Sequence, residues 1–321
     1  MRKKVISILL VVFISFHTLI ISCSCTIEPT KETFVYAIKE KDSLRLDKYE
    51  TPPYRKDRPC VIFVFGGGFK DGSRDSDFNE AYLKSLAQSG YVAIGIDYRL
   101  GLKDLTAEDA SSLEKVAPLL VNAIQMSVED LFDATRFVYE HADEWRFDKT
   151  KIVANGSSAG AVAVLQGEYW VCNKSEIAKK LPENFCYGGI IAFAGGIFTE
   201  TDGLKWSSKP VPMQLFHGDA DKNVPYNKIE LSGIGGLYGS NYIAKQLKDM
   251  QAPHYYYNVV NAAHEIASVP MVNNLEDIRT FINKYVVNHE PLIIQSQSRE
   301  ISKPEMKKNF TLMDYIDTNY Q

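Results

Sequence analysis

The chain has 321 residues, 45% of them hydrophobic and 24% charged, the make-up of an ordinary globular protein with apolar material for one buried core. Its formal net charge of −4 gives no basic field to gather nucleic acid, so no nucleic-acid partner is expected.

The first residues stand outside the fold. Arg2, Lys3 and Lys4 form a positive start, and Val5 to Ile21 is apolar apart mainly from Ser7, Ser15, His17 and Thr18. That is the layout of a secretory signal. The run Ile20-Ile21-Ser22-Cys23 then has the form of a bacterial lipobox, whose cysteine becomes the lipidated first residue of the mature protein. Residues 1–22 are expected to be a lipoprotein signal peptide, Cys23 the lipidation site, and 23–32 a polar tether. The protein would then be anchored by lipid to a membrane of the bacterial cell envelope. A plain signal peptide or an N-terminal transmembrane anchor are the alternatives.

Residues 33–50 alternate apolar and polar side chains, with Phe34, Tyr36 and Ile38 followed by Leu44, Leu46 and Tyr49. The spacing predicts a half-exposed antiparallel hairpin. From residue 60 the texture changes. Cys60–Phe65, Tyr91–Ile96, Lys151–Ala154, Gly189–Ala194, Val211–Phe216 and Tyr255–Val260 are short apolar runs of the kind found in buried parallel strands. Helical spacing separates them at 77–88, 128–141, 159–169, 240–250 and 273–287. Residues 101–127 also look largely helical, while 197–209 and 225–239 read as irregular. This alternation predicts an α/β fold in one domain, 33–290, with a mostly parallel central sheet and helices on both faces. Residues 291–321 read as a polar C-terminal tail, of which 295–321 are expected to be dispensable for activity.

Among the cysteines, Cys60 lies in an apolar run and is expected to be a buried thiol. Cys172 and Cys186 enclose a short loop. They are a candidate disulfide in a compartment that permits one, worth about 3 kcal/mol. No C-x-x-C pair or His/Cys cluster suggests a metal, and no metal or organic cofactor is expected.

The chemistry concentrates in three loops. Gly156-Ser157-Ser158-Ala159-Gly160 satisfies G-x-S-x-G around Ser158, between a strand and a helix. A sharp turn there holds a serine in a strained conformation and admits only small residues two positions either side. Ser157 lacks glycines at those offsets. Ala159 starts the helix, so its N–H is an unpaired donor that can face an oxyanion beside Ser158. A second source of donors is Phe65-Gly66-Gly67-Gly68-Phe69, after the first buried strand, where glycines let backbone approach substrate. Asp221 and His264 each follow a later strand. Serine, acid and base thus come in chain order at one end of the expected sheet, which points to a nucleophilic triad.

Four motifs carry a family resemblance: Phe65-Gly66-Gly67-Gly68-Phe69, Asp97-Tyr98-Arg99-Leu100, Asn155 to Ala161, and His217-Gly218-Asp219-Ala220-Asp221 with Val224-Pro225. The chain resembles the carboxylesterase and lipase branch of the α/β-hydrolases, near the hormone-sensitive-lipase-like and bacterial feruloyl or acetyl esterase groups. Two departures stand out, Phe65 where the family usually has His and Ala161 where it has Gly. The resemblance implies the α/β-hydrolase fold and catalysis by Ser158, Asp221 and His264. It also implies an oxyanion hole from the N–H groups of Gly67, Gly68 and Ala159. Asp219 is assigned to the turn, and Asp97, Tyr98 and Arg99 to structure. The implied reaction is hydrolysis of a small-molecule or glycan-linked carboxylic ester, with short-acyl or aryl esters favoured. A serine peptidase of the same fold and a non-catalytic glycan- or partner-binding lipoprotein are the alternatives.

Overall fold

Every residue of Cys60–Val64, Val92–Ile96 and Gly189–Phe193 is buried, and a strand buried on both faces must be covered on both. The computed structural model describes residues 27–231 and 233–311, with 314, 317 and 318, and shows how that cover is made. Cys23, the expected lipidation site, lies outside the described residues together with the signal segment.

The chain opens with strands β1 (Thr30–Lys39) and β2 (Asp42–Glu50), paired antiparallel in a hairpin. Then follow β3 (Cys60–Val64), α1 (Asp77–Gln88), β4 (Val92–Ile96), α2 (Leu113–Glu140), β5 (Ile152–Ser157), α3 (Ala159–Cys172) and β6 (Gly189–Phe193). After these come β7 (Gly196–Thr199), β8 (Met213–Gly218), β9 (Lys228–Leu231), β10 (Gly235–Gly239), α4 (Ser240–Asp249), β11 (His254–Val260), α5 (Pro270–Asn273), α6 (Leu275–Phe281) and β12 (Ile293–Arg299). Nine strands form one sheet in the order β1-β2-β4-β3-β5-β6-β8-β11-β12. The pairs from β4 onward are parallel, while β1–β2 and β2–β4 are antiparallel. Helix α3 packs on α2 and on β3, β5 and β6, α1 lies on β4, and α4 lies on β8 and β11. Phe63, Phe193 and Phe216 are wholly buried between these layers, each worth roughly 1.5–3 kcal/mol of transfer energy.

Three parts of the sequence reading are corrected. First, β12 is a strand, parallel to β11 over seven residues, where a tail was expected. Its alternation of exposed and half-buried side chains is that of a sheet edge, and the polar Gln-Ser-Gln-Ser composition hid it. The sheet also starts at Thr30, inside the expected tether. Second, β7, β10 and β9 form a separate antiparallel sheet in stretches read as irregular. Its glycines depress strand propensity yet permit close contact: a Cβ on Gly239 would lie 1.6 Å from the Pro225 carbonyl oxygen. Third, Cys172 and Cys186 are free thiols. Cys172 is buried and donates to Glu168 Oε1 at 3.3 Å, while Cys186 is exposed.

Candidate active site

Ser158, Asp221 and His264 come from loops that follow β5, β8 and β11, at the same end of parallel strands, and the fold brings all three together. Ser158 sits between β5 and α3 with φ 51° and ψ −117°, a conformation that side chains other than glycine rarely adopt. Two glycines make the turn fit. A Cβ on Gly156 would lie 2.2 Å from the Gly160 carbonyl oxygen, and one on Gly160 would lie 2.1 Å from that of Val64. The turn is pinned by Ser158 N–H to Phe193 O at 2.9 Å. Ser157 points elsewhere and donates to Ala267 O at 2.7 Å.

The hydroxyl of Ser158 lies 2.7 Å from His264 Nε2, and His264 Nδ1 lies 2.7 Å from Asp221 Oδ2. The other oxygen, Oδ1, accepts the backbone N–H groups of Asn223 and Val224 at 2.8 and 3.1 Å. Burial works against the Asp221 carboxylate, but the hydrogen bonds from His217 and His264 prevail and hold its pKa far below the usual range. An acid so held stays ionised, orients the imidazole and favours its cation.

Asp219 occupies the tighter position in the same loop. Its Oδ1 accepts the N–H of Asn261 at 2.7 Å, and its own N–H donates to Val259 O at 3.0 Å. Ala220 N–H adds a bond to Ala262 O at 2.9 Å. The loops carrying Asp221 and His264 are therefore laced together beside the strand pair β8–β11.

Gly66, Gly67 and Gly68 pass next to the serine. A Cβ on Gly66 would lie 3.1 Å from Ser158 Cβ, and Gly67 at φ +128° would drive a Cβ to 2.1 Å from Asp71 O. Phe65, the residue in place of histidine, packs on Tyr98 with ring centroids 4.5 Å apart and the rings tilted by 33°. The Tyr98 hydroxyl donates to Phe65 O at 3.1 Å and Leu102 N–H to Phe69 O at 2.9 Å. Tyr98 thus fixes the glycine loop from below. Asp97 pairs with Arg74 at 2.8 Å and Arg99 with Asp130 at 2.7 Å, both holding strand ends.

Two spaces adjoin Ser158. One is a small, partly open pocket of about 30 Å³, lined on its apolar side by Phe69, Ile124, Val162, Val224 and Leu237. The other is an open groove of about 560 Å³, bordered by Lys70, Asp71, His264, Ser268 and Thr318. Among the described residues no cluster of three or more His, Cys, Asp and Glu side chains could hold a metal ion.

Sequence reasoning missed two contributors. His217 is wholly buried with Nε2 at 3.3 Å from Asp221 Oδ2; its spacing of four residues from the acid was the available signal. The segment after β12 returns to these loops. Lys303 pairs with Glu265 at 2.7 Å, Lys308 with Asp219 at 3.2 Å, and Asn261 donates to Glu305 at 3.0 Å. No sequence pattern announced those contacts.

Comparison with known proteins adds context. Residues 46–187 match the BD-FAE family model. Fumonisin B1 esterase of Sphingopyxis macrogoltabida is 32% identical over 106 residues, 33% of this chain and 19% of that protein. Gut esterase 1 of Caenorhabditis briggsae is 29% identical over 126 residues, 39% of this chain and 21% of that protein. The chain thus spans about a fifth of the length of these curated relatives. Among solved structures, esterase 2 of Thermogutta terrifontis phosphoramylated by tabun superposes with a TM-score of 0.56 at 22% identity, covering 82% of this chain and 96% of the other. Its propionate-bound form gives 0.55 at 22% identity, covering 83% and 97%. The strand order, the turn at Ser158 and these similarities lead to one statement of identity: the chain is an α/β-hydrolase by fold, and its residues 46–187 resemble the BD-FAE family.

Proposed function

We propose that the protein is a serine carboxylic-ester hydrolase. The observation that carries the reading is the unbroken chain of hydrogen bonds, Ser158 Oγ to His264 Nε2 and His264 Nδ1 to Asp221 Oδ2, both 2.7 Å. His264 takes the proton as Ser158 Oγ bonds to the ester carbonyl carbon. The N–H groups of Gly67, Gly68 and Ala159 receive the oxyanion. His264 then passes its proton to the leaving alcohol, giving an acyl-serine. Water, deprotonated by the same imidazole, attacks that acyl group and releases the acid with Ser158 restored.

The unequal spaces beside the serine favour a small acyl group and a larger, polar alcohol. A cavity of about 30 Å³ has room for one or two waters by the same measure, so it suits an acetyl or propionyl group. The open groove, with Lys70, Asp71 and Ser268 on its border, suits a hydrophilic alcohol such as a sugar hydroxyl.

A fluorophosphonate probe and a series of nitrophenyl esters test this reading. The wild type is expected to label and Ser158→Ala to lose both labelling and turnover; esterase activity that survives in Ser158→Ala would refute it. Within the series, kcat/KM is expected to fall by about tenfold or more from two to eight acyl carbons. Leu237→Ala, which opens the cavity wall, is expected to flatten that fall. A wild type that prefers the long ester would overturn the acyl assignment. Lipid attachment at Cys23 belongs to the same proposal: Cys23→Ala is expected to move the protein out of the membrane fraction, and unchanged retention would exclude the anchor.

A further inference from the structure

The acid of the site is held by two imidazoles. His217 is the penultimate residue of β8 and is fully buried. Its Nε2 lies 3.3 Å from Asp221 Oδ2 and 3.3 Å from Val224 O. Carboxylate and carbonyl oxygens only accept, so the hydrogen between them sits on His217 Nε2. The other ring nitrogen, Nδ1, lies 2.8 Å from Ser240 Oγ, at the start of α4. The ring of Tyr226 stands edge-on to the imidazole, with centroids 5.8 Å apart. These contacts leave the ring one orientation.

The oxygen that His217 meets is the one that receives His264 Nδ1. We propose that His217 is a positioning residue which, through that shared oxygen, fixes the Asp221 carboxylate and limits how strongly it draws a proton onto His264. The inference rests on the triad reading above and concerns how it is tuned. With Oδ1 held by the Asn223 and Val224 amides and Oδ2 shared between two donors, the carboxylate cannot turn about its Cβ–Cγ bond. Its charge is also spread over three hydrogen bonds and the His217 imidazole 3.3 Å away. Taking His217 away leaves Oδ2 to His264 alone. Two consequences follow. The carboxylate gains freedom to rotate, which lowers kcat. Its undivided charge favours the His264 cation, so the base stays protonated to higher pH and the acid limb of kcat/KM moves upward.

The charged groups around the pair do not supply the same effect. Asp219 faces Asn261 and Lys308, Lys222 faces Asp314, and Glu265 faces Lys303. Tyr226 presents its ring to His217.

The test compares three variants on one short-acyl nitrophenyl ester. His217→Leu removes the donor. His217→Gln returns an N–H donor near the place of Nε2. Ser240→Ala keeps the imidazole but frees its far side. In His217→Leu, kcat is expected to fall about tenfold with KM within twofold, and the acid limb to rise by about half a pH unit. His217→Gln is expected to restore most of both, and Ser240→Ala to shift the limb in the same direction by less. A folded His217→Leu with wild-type kcat and limb would overturn the proposal. So would a His217→Gln no better than His217→Leu. If His217→Leu does not fold, Ser240→Ala and His217→Gln decide: an unmoved limb in Ser240→Ala, or a His217→Gln limb displaced from wild type, overturns it. Ser158→Ala run alongside separates the two levels. Hydrolysis surviving there means that the triad reading has failed, whatever the His217 variants do.

Discussion

The two acids of one loop, Asp219 and Asp221, show how position decides chemistry for identical side chains. Asp221 takes two backbone amides on one oxygen and two imidazoles on the other. Asp219 takes the Asn261 amide and the Lys308 ammonium, and it does not touch the imidazole of His264. Asp221→Asn is therefore expected to lower kcat by about 10³–10⁴-fold, because it upsets both the tautomer and the charge behind His264. Asp219→Asn keeps an acceptor oxygen for Asn261 and is expected to cost about tenfold at most. Steady-state kinetics on one activated ester, with circular dichroism confirming the fold, checks the pair. A crippled Asp219→Asn beside a near-normal Asp221→Asn would reverse the assignment of the acid. The different placing of the two side chains follows from their positions in one short loop, a local property of the sequence. The partnership of Asp221 with His217 was not legible there, since it depends on how β8 delivers its last side chain into the core.

At the scale of elements, the end of the chain departs most from expectation. Residues 300–311 leave the edge strand β12 and lay Lys303, Glu305 and Lys308 on the loops that hold His264 and Asp219. Met306 N–H adds a bond to Asn261 Oδ1 at 3.2 Å. Asn261 stands at positive φ and is buried, so this segment restrains the turn from which the histidine loop departs. Truncation after Arg299 keeps the sheet complete but removes the restraint. It is expected to lower kcat/KM by about tenfold, since small displacements of a base are costly. Part of that loss should appear in the intact protein at 1 M salt, where ion pairs are screened over about 3 Å. A truncated protein with wild-type kcat/KM and the same salt response would make the segment a passive cover. The buried strands, the helix at 77–88 and, to within a residue, the helix expected at 240–250 lie where the apolar spacing put them, because burial imposes a pattern that survives in one dimension. The 28-residue helix α2 reads as two pieces, because Pro118 and the polar turns near its start blur the period. The glycine-rich sheet β7-β10-β9 and the polar edge β12 owe their existence to pairing partners far along the chain, and composition alone does not reveal those.

For the molecule as a whole, one buried carboxyl and the placing of the thiols set the terms. Burial pushes the carboxyl of Glu168 in α3 up to about 7, against the bonds from Val211 N–H and Cys172 Sγ. An unfolded chain releases this proton near the ordinary glutamate value of about 4.3, whereas the fold retains it to about 7. The contribution is therefore full below about pH 4 and is lost as the pH rises to about 7, a decline of about 4 kcal/mol. Glu168→Gln keeps an acceptor for Val211 and is expected to lose most of this slope. Urea midpoints at pH 5 and pH 8 check it, and an unchanged difference between wild type and variant would show that Glu168 titrates normally. The cysteines carry a different consequence. Cys60 and Cys172 are buried with thiols pushed upward, chiefly by burial, and are poor nucleophiles. Cys186 is the exposed thiol among the described residues. It precedes β6, at the opposite end of the strands from Ser158, and a five-residue strand spans roughly 16 Å. A dye or a solid support coupled to Cys186 through a maleimide would thus hang from the back of the sheet, and an immobilised layer of the protein would present its groove to the solution.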